Sequence, residues 1–131
     1  MKIALVSSKN SELEVLEPVA KRLKSKISGV EVIVKNAPSN LDIPKTILSI
    51  KNFDLVVVAL YYPAESVDVK VVMEKLVDLD IAGHPTMKFI SPSEDADESD
   101  EAKKITKAIL QKFFGKKAVR SGTGRGSFQK I

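Results

Sequence analysis

The chain of 131 residues contains no cysteine and no tryptophan, and His84 is its only histidine. Without cysteine there can be no disulfide, no thiolate nucleophile and no cysteine-ligated zinc or iron–sulfur centre. With one histidine, any Ser-His-Asp triad would have to use His84. The longest apolar run, Leu55–Ala64, is too short to span a bilayer, and the sequence shows no secretory signal pattern. We therefore expect a cytoplasmic protein.

The formal net charge of +4 is distributed unevenly along the chain. The segment EDADESDE at residues 94–101 contains six acids and no base, whereas residues 112–131 contain six bases and no acid. Since the tail contributes +6 to a total of +4, the rest of the chain carries −2. Any attraction to acidic partners that is inferred from the net charge is therefore a property of the tail.

Hydrophobic residues make up 44% of the chain, which is enough for one folded domain of this length. Four short apolar runs predict β-strands, and each is followed by apolar residues at helical spacing. The predicted strands cover residues 2–6, 30–34, 54–60 and 86–90. The predicted helices lie near residues 13–27, 43–52, 67–81 and 99–114, and Gly83 and Gly115 end the last two. Pro18 either kinks the first helix or lies in the first turn of a helix that begins later.

This alternation predicts an α/β fold with a parallel sheet, right-handed crossovers and helices on both faces. We expect a three-layer α/β/α domain over residues 1–114, with a flavodoxin-like arrangement of four strands in the order 2-1-3-4. Residues 115–131 are basic and contain glycine, and they predict an extended C-terminal arm.

In an open parallel sheet, ligands bind beyond the carboxyl ends of the strands, where the strand order reverses. The loops predicted at that edge cover residues 7–10, 36–42, 61–66 and 91–97, and the first contains no glycine-rich dinucleotide fingerprint or P-loop. His84 precedes the fourth strand at the opposite edge, so we interpret it as a turn residue. The acidic segment 94–101 is typical of a solvated helix start, and its carboxylates also suit Mg²⁺.

Several of these segments are similar to those of one known family. Where the family has a Lys-Ile-Gly-Ile-Val-like strand, the chain has KIALV. Where the family has Val-Pro-Gly-x-x-Glu/Asp-Ile/Leu-Pro, the chain has Ala37–Pro44, with Ser39 in place of the glycine. Ala59-Leu60-Tyr61 stands for Ala-Leu-Gly and Tyr62-Pro63-Ala64 for Met-Pro-Gly, whereas a Cys-Ala-His-Glu stretch in the third helix is absent. In these respects the chain resembles the lumazine synthase superfamily, and within it the archaeal type of riboflavin synthase.

The resemblance implies a lumazine-synthase-like fold and a transferase of riboflavin biosynthesis. Such an enzyme moves a four-carbon unit between two molecules of 6,7-dimethyl-8-ribityllumazine and requires no redox cofactor. The resemblance also implies a homo-oligomer, with five subunits in a ring and ligand sites between neighbours.

The same resemblance assigns substrate contacts to the ends of the first three strands. Asn10 stands where the family places an aromatic residue that stacks on the ring, so we expect Tyr61 or Tyr62 to supply the stacking surface. Ser8 and Lys9 would contact the ring edge, and the ribityl hydroxyls would be held by Ser39, Asn40 and Asp42. Asn10 is a further predicted substrate contact.

Two other functions stay open at this point. A catalytically silent relative would bind a flavin, pterin or nucleotide, or would only assemble. A nucleic-acid-associated protein would use the basic tail, in which Arg120 and Arg125 would contact phosphate or a partner.

Overall fold

Four strands and four helices alternate along the chain in the computed structural model, which describes residues 1–63 and 66–122. The strands are β1 (Lys2–Ser8), β2 (Glu31–Ala37), β3 (Leu55–Tyr62) and β4 (Met87–Pro92). The helices are α1 (Leu16–Lys26), α2 (Ile43–Leu48), α3 (Val67–Ile81) and α4 (Glu98–Gly122), and a 3₁₀ turn, Asn40–Asp42, precedes α2. The strands pair in parallel in the order β2-β1-β3-β4. The predicted α/β fold and strand order are therefore confirmed.

Each face of the sheet has its own apolar core, because successive side chains of a strand point to opposite faces. Leu5 and Val57 belong to the core that α1 and α4 cover, whereas Val6 and Val58 belong to the core that α2 and α3 cover. All four side chains are fully buried. The central strands β1 and β3 are thus covered on both faces, which explains why they read as continuous apolar runs.

The start of α1 decides between the two interpretations of Pro18. The helix begins at Leu16, so Pro18 lies in its first turn, where a missing N–H removes no helical hydrogen bond. Glu14 Oε1 accepts hydrogen bonds from the N–H of Leu16 (2.9 Å) and of Glu17 (3.3 Å) and stabilises this end. The interpretation with the later start is confirmed.

The predicted bounds of α3 are confirmed, and Gly83, with a φ of 96°, follows its end. Its outer surface is more apolar than an exposed helix requires: Met73, Val77 and Ile81 are 45%, 52% and 81% exposed. These three residues recur every four positions, so they form one stripe. No helix within residues 1–63 and 66–122 combines the length and apolarity needed to cross a membrane.

The predicted end of the fourth helix at Phe114 is wrong, because α4 continues through Gly115 to Gly122. Gly115 is not among the glycines with positive φ, so it adopts no helix-ending turn. Glycine inside a helix costs only about 1 kcal/mol relative to alanine and does not force a stop. The first part of the predicted arm is therefore helical, and residues 123–131 lie outside the described residues.

The strands extend further toward their carboxyl ends than the apolar runs predict. β1 includes Ser7 and Ser8, and β3 includes Tyr61 and Tyr62. Ser8 pairs with Ala37 and Tyr62 pairs with Pro92 in the sheet, although Ser8 and Tyr62 are not aliphatic. Residues predicted to lie in loops thus occupy fixed positions in the sheet.

The outer edge of β4 is partly closed by its own neighbours. Asp80 Oδ1 accepts a hydrogen bond from the N–H of Thr86 (3.1 Å), and its other oxygen pairs with Lys88. Lys88 Nζ also donates to the carbonyl of Thr86 (3.1 Å). The hydrogen bond from Lys88 is the main cause that lowers the pKa of Asp80 below its ordinary value. Charged groups at an edge strand discourage unwanted strand pairing.

We expect Asp80→Asn to lower the free energy of unfolding at pH 7 by about 1 kcal/mol, because the pair is partly exposed. Since folding lowers the pKa of Asp80, its contribution is present above the unfolded-state pKa and disappears as the pH falls. Urea unfolding should therefore show a larger difference between wild type and variant at pH 7 than at pH 3. Asp78→Asn on the same helix serves as the control, and an equal loss there would contradict the assignment.

Candidate functional site

Three of the predicted site residues meet at the carboxyl edge of the sheet, in one hydrogen-bonded network. Ser8 Oγ donates to Asn40 Oδ1 (2.5 Å) and accepts from the N–H of Asn10 (3.1 Å). The N–H of Asn40 donates to Asn10 Oδ1 (2.9 Å), which closes the network. Ser8 and Asn40 are buried, so these bonds satisfy polar groups that would otherwise destabilise the fold. The network joins the end of β1 to the turn before α2.

Two residues that the sequence did not single out extend this network. Asn40 Nδ2 donates to Asp68 Oδ2 (3.4 Å), and Ser66 Oγ donates to Asp68 Oδ1 (2.5 Å). Asp68 lies in the first turn of α3, where a carboxylate also complements the helix dipole. That position was the only sequence signal for Asp68, and it is common to many helices.

A small polar pocket opens beside the network, between the end of β1 and the start of α1. Its volume is about 260 Å³, and the predicted residues Ser8 and Lys9 contribute to its lining. The other residues that line it are Ser7, Ser11, Leu13, Glu14 and Asn36. The pocket therefore presents hydroxyl groups, one amide, one ammonium and one carboxylate.

Ser39 and Asp42, also predicted as ligand contacts, bond to each other. Ser39 Oγ donates to Asp42 Oδ2 (2.9 Å) across the 3₁₀ turn. Asp42 precedes α2, and its side chain makes no capping hydrogen bond. The pair lies next to the Ser8–Asn40 network through Asn40, but neither residue lines the polar pocket.

Tyr61 is fully buried in the core beneath α1 and α4, so it presents no surface for stacking. Its hydroxyl donates to Glu101 Oε1 (2.9 Å). Burial, together with the hydrogen bond and the negative charge of Glu101, raises the pKa of the Tyr61 phenol above its ordinary value. The expectation that Tyr61 stacks on a ligand is therefore wrong, because the alternation of side chains along β3 turns Tyr61 into the core.

Tyr62 points to the other face of the sheet and is partly buried against the α2–α3 core. Its carbonyl accepts hydrogen bonds from Ser93 N–H (2.7 Å) and Ser93 Oγ (3.1 Å), which tie β3 to the loop after β4. Of the two tyrosines, only Tyr62 keeps part of its ring accessible at this edge.

Carboxylates of the acidic segment 94–101 accept hydrogen bonds both from within the segment and from the residues just before α1. Asp97 Oδ2 accepts from the N–H of Asp100 (3.0 Å) at the start of α4, and Glu98 Oε2 accepts from the N–H of Glu14 (2.8 Å). In the part of the chain that the structure describes, no three His, Asp or Glu residues form a group able to hold a metal ion. The Mg²⁺ expectation therefore gains no support from the geometry.

Neither of the two arginines predicted to contact phosphate or a partner is among the described residues that line the polar pocket. Arg120 falls within the backbone of α4, and Arg125 lies outside the described residues. His84 lies in the turn between α3 and β4, where its N–H donates to the carbonyl of Leu79 (2.8 Å). This agrees with its interpretation as a turn residue at the opposite edge of the sheet.

No model of a known protein family matches the chain, and no curated protein is significantly similar to it. The resemblance to the lumazine synthase superfamily therefore consists of the sequence segments named above and nothing further. The geometry by itself defines an α/β domain with a polar pocket at the carboxyl edge, which can donate and accept several hydrogen bonds.

We expect Tyr61→Phe to lower the free energy of unfolding by about 1–3 kcal/mol, because Glu101 loses its partner in a partly buried site. Tyr62→Phe is the matched control, since no hydrogen bond of its hydroxyl is found within the described residues. Urea unfolding measures both. Because folding raises the pKa of Tyr61, the difference between wild type and Tyr61→Phe should shrink above about pH 10. Equal losses in the two variants would contradict the role of Glu101.

Proposed function

We propose that the protein is a divergent riboflavin-synthase-like protein that binds 6,7-dimethyl-8-ribityllumazine at the carboxyl edge of its sheet. One observation carries the proposal: Ser8 and Lys9, which the resemblance assigns to the ring edge, line a polar pocket at that edge. The Ser8–Asn40 network holds the turn Ser39–Asp42, whose residues the resemblance assigns to the ribityl chain, beside this pocket.

The chemistry of the pocket suits such a ligand. A ribityllumazine carries ring carbonyls and a chain of hydroxyl groups, which both donate and accept hydrogen bonds. The hydroxyls of Ser7 and Ser11, the amide of Asn36 and the ammonium of Lys9 are complementary to these groups. A hydrogen bond to a charged group contributes about 1.5–3 kcal/mol, so we expect Lys9 to contribute more than the neutral side chains of the pocket.

The size of the pocket favours a site that a second subunit completes. Its volume of about 260 Å³ is below the ~300–1,000 Å³ of most ligand pockets. A second copy of the chain would then cover the rest of the ligand, in agreement with the proposed homo-oligomer. Four-carbon transfer requires two lumazines face to face, and alignment of two reactants can supply roughly 7–11 kcal/mol of the barrier.

We expect lumazine to bind saturably, with quenching of its own fluorescence, and Lys9→Ala to weaken binding about tenfold. Lys45→Ala, an exposed lysine on α2, is the control and should leave the affinity unchanged. Tyr62→Ala tests stacking separately. Absence of saturable binding would refute the proposal.

The same titration separates the enzyme from a silent binder. Growth of riboflavin fluorescence with time would demonstrate four-carbon transfer, whereas binding without riboflavin would favour the catalytically silent relative.

A basic groove between α1 and α4 favours nucleic-acid binding as a second candidate function. The groove has a volume of about 370 Å³ and is lined by Arg22, Lys26, Lys103 and Lys107. Phe114, 41% exposed, also lines it and is suited to base stacking. The only ion pair among the described residues is Asp80–Lys88, so the groove cations are available to phosphates. All of these residues precede residues 123–131 in the sequence.

Four phosphate contacts to a single strand would weaken binding about 50-fold between 50 and 200 mM salt. Fluorescence anisotropy of a labelled single-stranded RNA measures this dependence. We expect Lys103→Glu with Lys107→Glu to abolish binding, and Lys70→Glu with Lys75→Glu on α3 to preserve it. A chain that ends at residue 122 separates the groove from the tail. Binding that survives the groove substitutions but is lost on truncation would assign it to the tail.

A further inference from the structure

A cleft of about 600 Å³ opens at the amino edge of the sheet, at the opposite end from the polar pocket. It lies where β3 and β4 begin, between the segments that lead from α2 into β3 and from α3 into β4. Asn52 (φ 62°) and Gly83 (φ 96°) turn these two segments through left-handed conformations. The volume lies within the ~300–1,000 Å³ of small-molecule sites.

Much of the cleft wall is apolar and comes from separate parts of the chain. Ile50 and Phe53 contribute from the segment before β3, and Pro85 and Met87 from the start of β4. Ile50, Phe53 and Met87 are partly buried, so each keeps some accessible surface. A wall of this composition suits a flat apolar body such as an aromatic ring.

The charged groups that line the cleft are predominantly cationic. Lys51 and Lys112 supply the positive charges, and His84 also contributes to the lining. Asp54 is the only acid among the described lining residues, and its Oδ2 already accepts a hydrogen bond from the N–H of Lys2 (2.7 Å). Two lysines therefore line the cleft together with a single acid, which already accepts a backbone hydrogen bond.

One further polar group in this wall is unused by the fold. Thr86 lines the cleft, and its buried Oγ1 has no hydrogen-bond partner among the described residues. Buried hydroxyls are normally paired, so this one is available to bond with a ligand that reaches it.

We propose that the amino-edge cleft is a second ligand site, which binds a small aromatic anion bearing a carboxylate or a phosphate. Lys51 and Lys112 would hold the anionic group, and Phe53 and Pro85 would contact the ring. The site is independent of the polar pocket at the carboxyl edge, with which it shares no lining residue.

The test compares three naphthalene probes: 1-naphthyl phosphate, 1-naphthoate and neutral 1-naphthol. Because the chain has no tryptophan, naphthalene fluorescence can be followed with little interference from the protein. We expect one molar equivalent of at least one anion to bind saturably, about tenfold more tightly than 1-naphthol. Which of the two anions binds more tightly identifies the anionic group.

Variants locate the site. The double variant Lys51→Ala with Lys112→Ala should weaken anion binding about tenfold or more. Two controls should leave it unchanged: Lys70→Ala with Lys75→Ala on α3, and Lys9→Ala in the polar pocket. Thr86→Val should weaken binding without lowering the midpoint of thermal unfolding, since Oγ1 bonds to no described residue. Equal affinity for 1-naphthol and the anions, or unchanged affinity in the lysine double variant, would overturn the proposal.

Discussion

The need to cover two central strands on both faces determines the architecture. β1 and β3 carry apolar side chains in both directions, and Ile3–Val6 and Val57–Leu60 are entirely buried. At roughly 25 cal/mol per Å² of apolar surface removed from water, exposure of either face would cost more than a domain of this size can tolerate. Helices must therefore pack on both sides, and right-handed crossovers then fix which helix lies on which face.

This constraint explains why the fold can be predicted from the sequence, whereas the candidate site can be predicted only in part. Apolar periodicity locates the strands and α3, since burial repeats along every turn or every second residue. It does not show where a strand stops pairing: Ser8 and Tyr61 continue the sheet although they are not aliphatic. Strand parity, once the register is known, turns Tyr61 into the core, and the Tyr61–Glu101 contact joins residues 40 positions apart. Gly115 predicts the end of α4 incorrectly, because the low helix propensity of one glycine is outweighed by the helix that continues on both sides of it.

The two ends of the sheet differ in chemistry as well as in position. At the carboxyl edge, most polar side chains bond to one another, and a small polar pocket remains. At the amino edge, lysines lie beside a larger apolar cleft. The carboxyl-edge rule for parallel sheets is a rule about loops and helix N-termini, and it does not prevent the connections at the other end from enclosing a cavity. The net charge of the whole chain comes mostly from the tail. It therefore does not show that the two ends of the sheet differ in chemistry.

The adjacent tyrosines have a practical consequence for following this protein in solution. They are the only tyrosines of a chain that lacks tryptophan, and they point to opposite faces of one strand. Each of the two helix–sheet interfaces therefore contains one tyrosine side chain. Separation of α4 from the sheet would alter the environment of Tyr61, and separation of α3 would alter that of Tyr62. Single-tyrosine variants would then report on the opening of each layer individually, without an attached label.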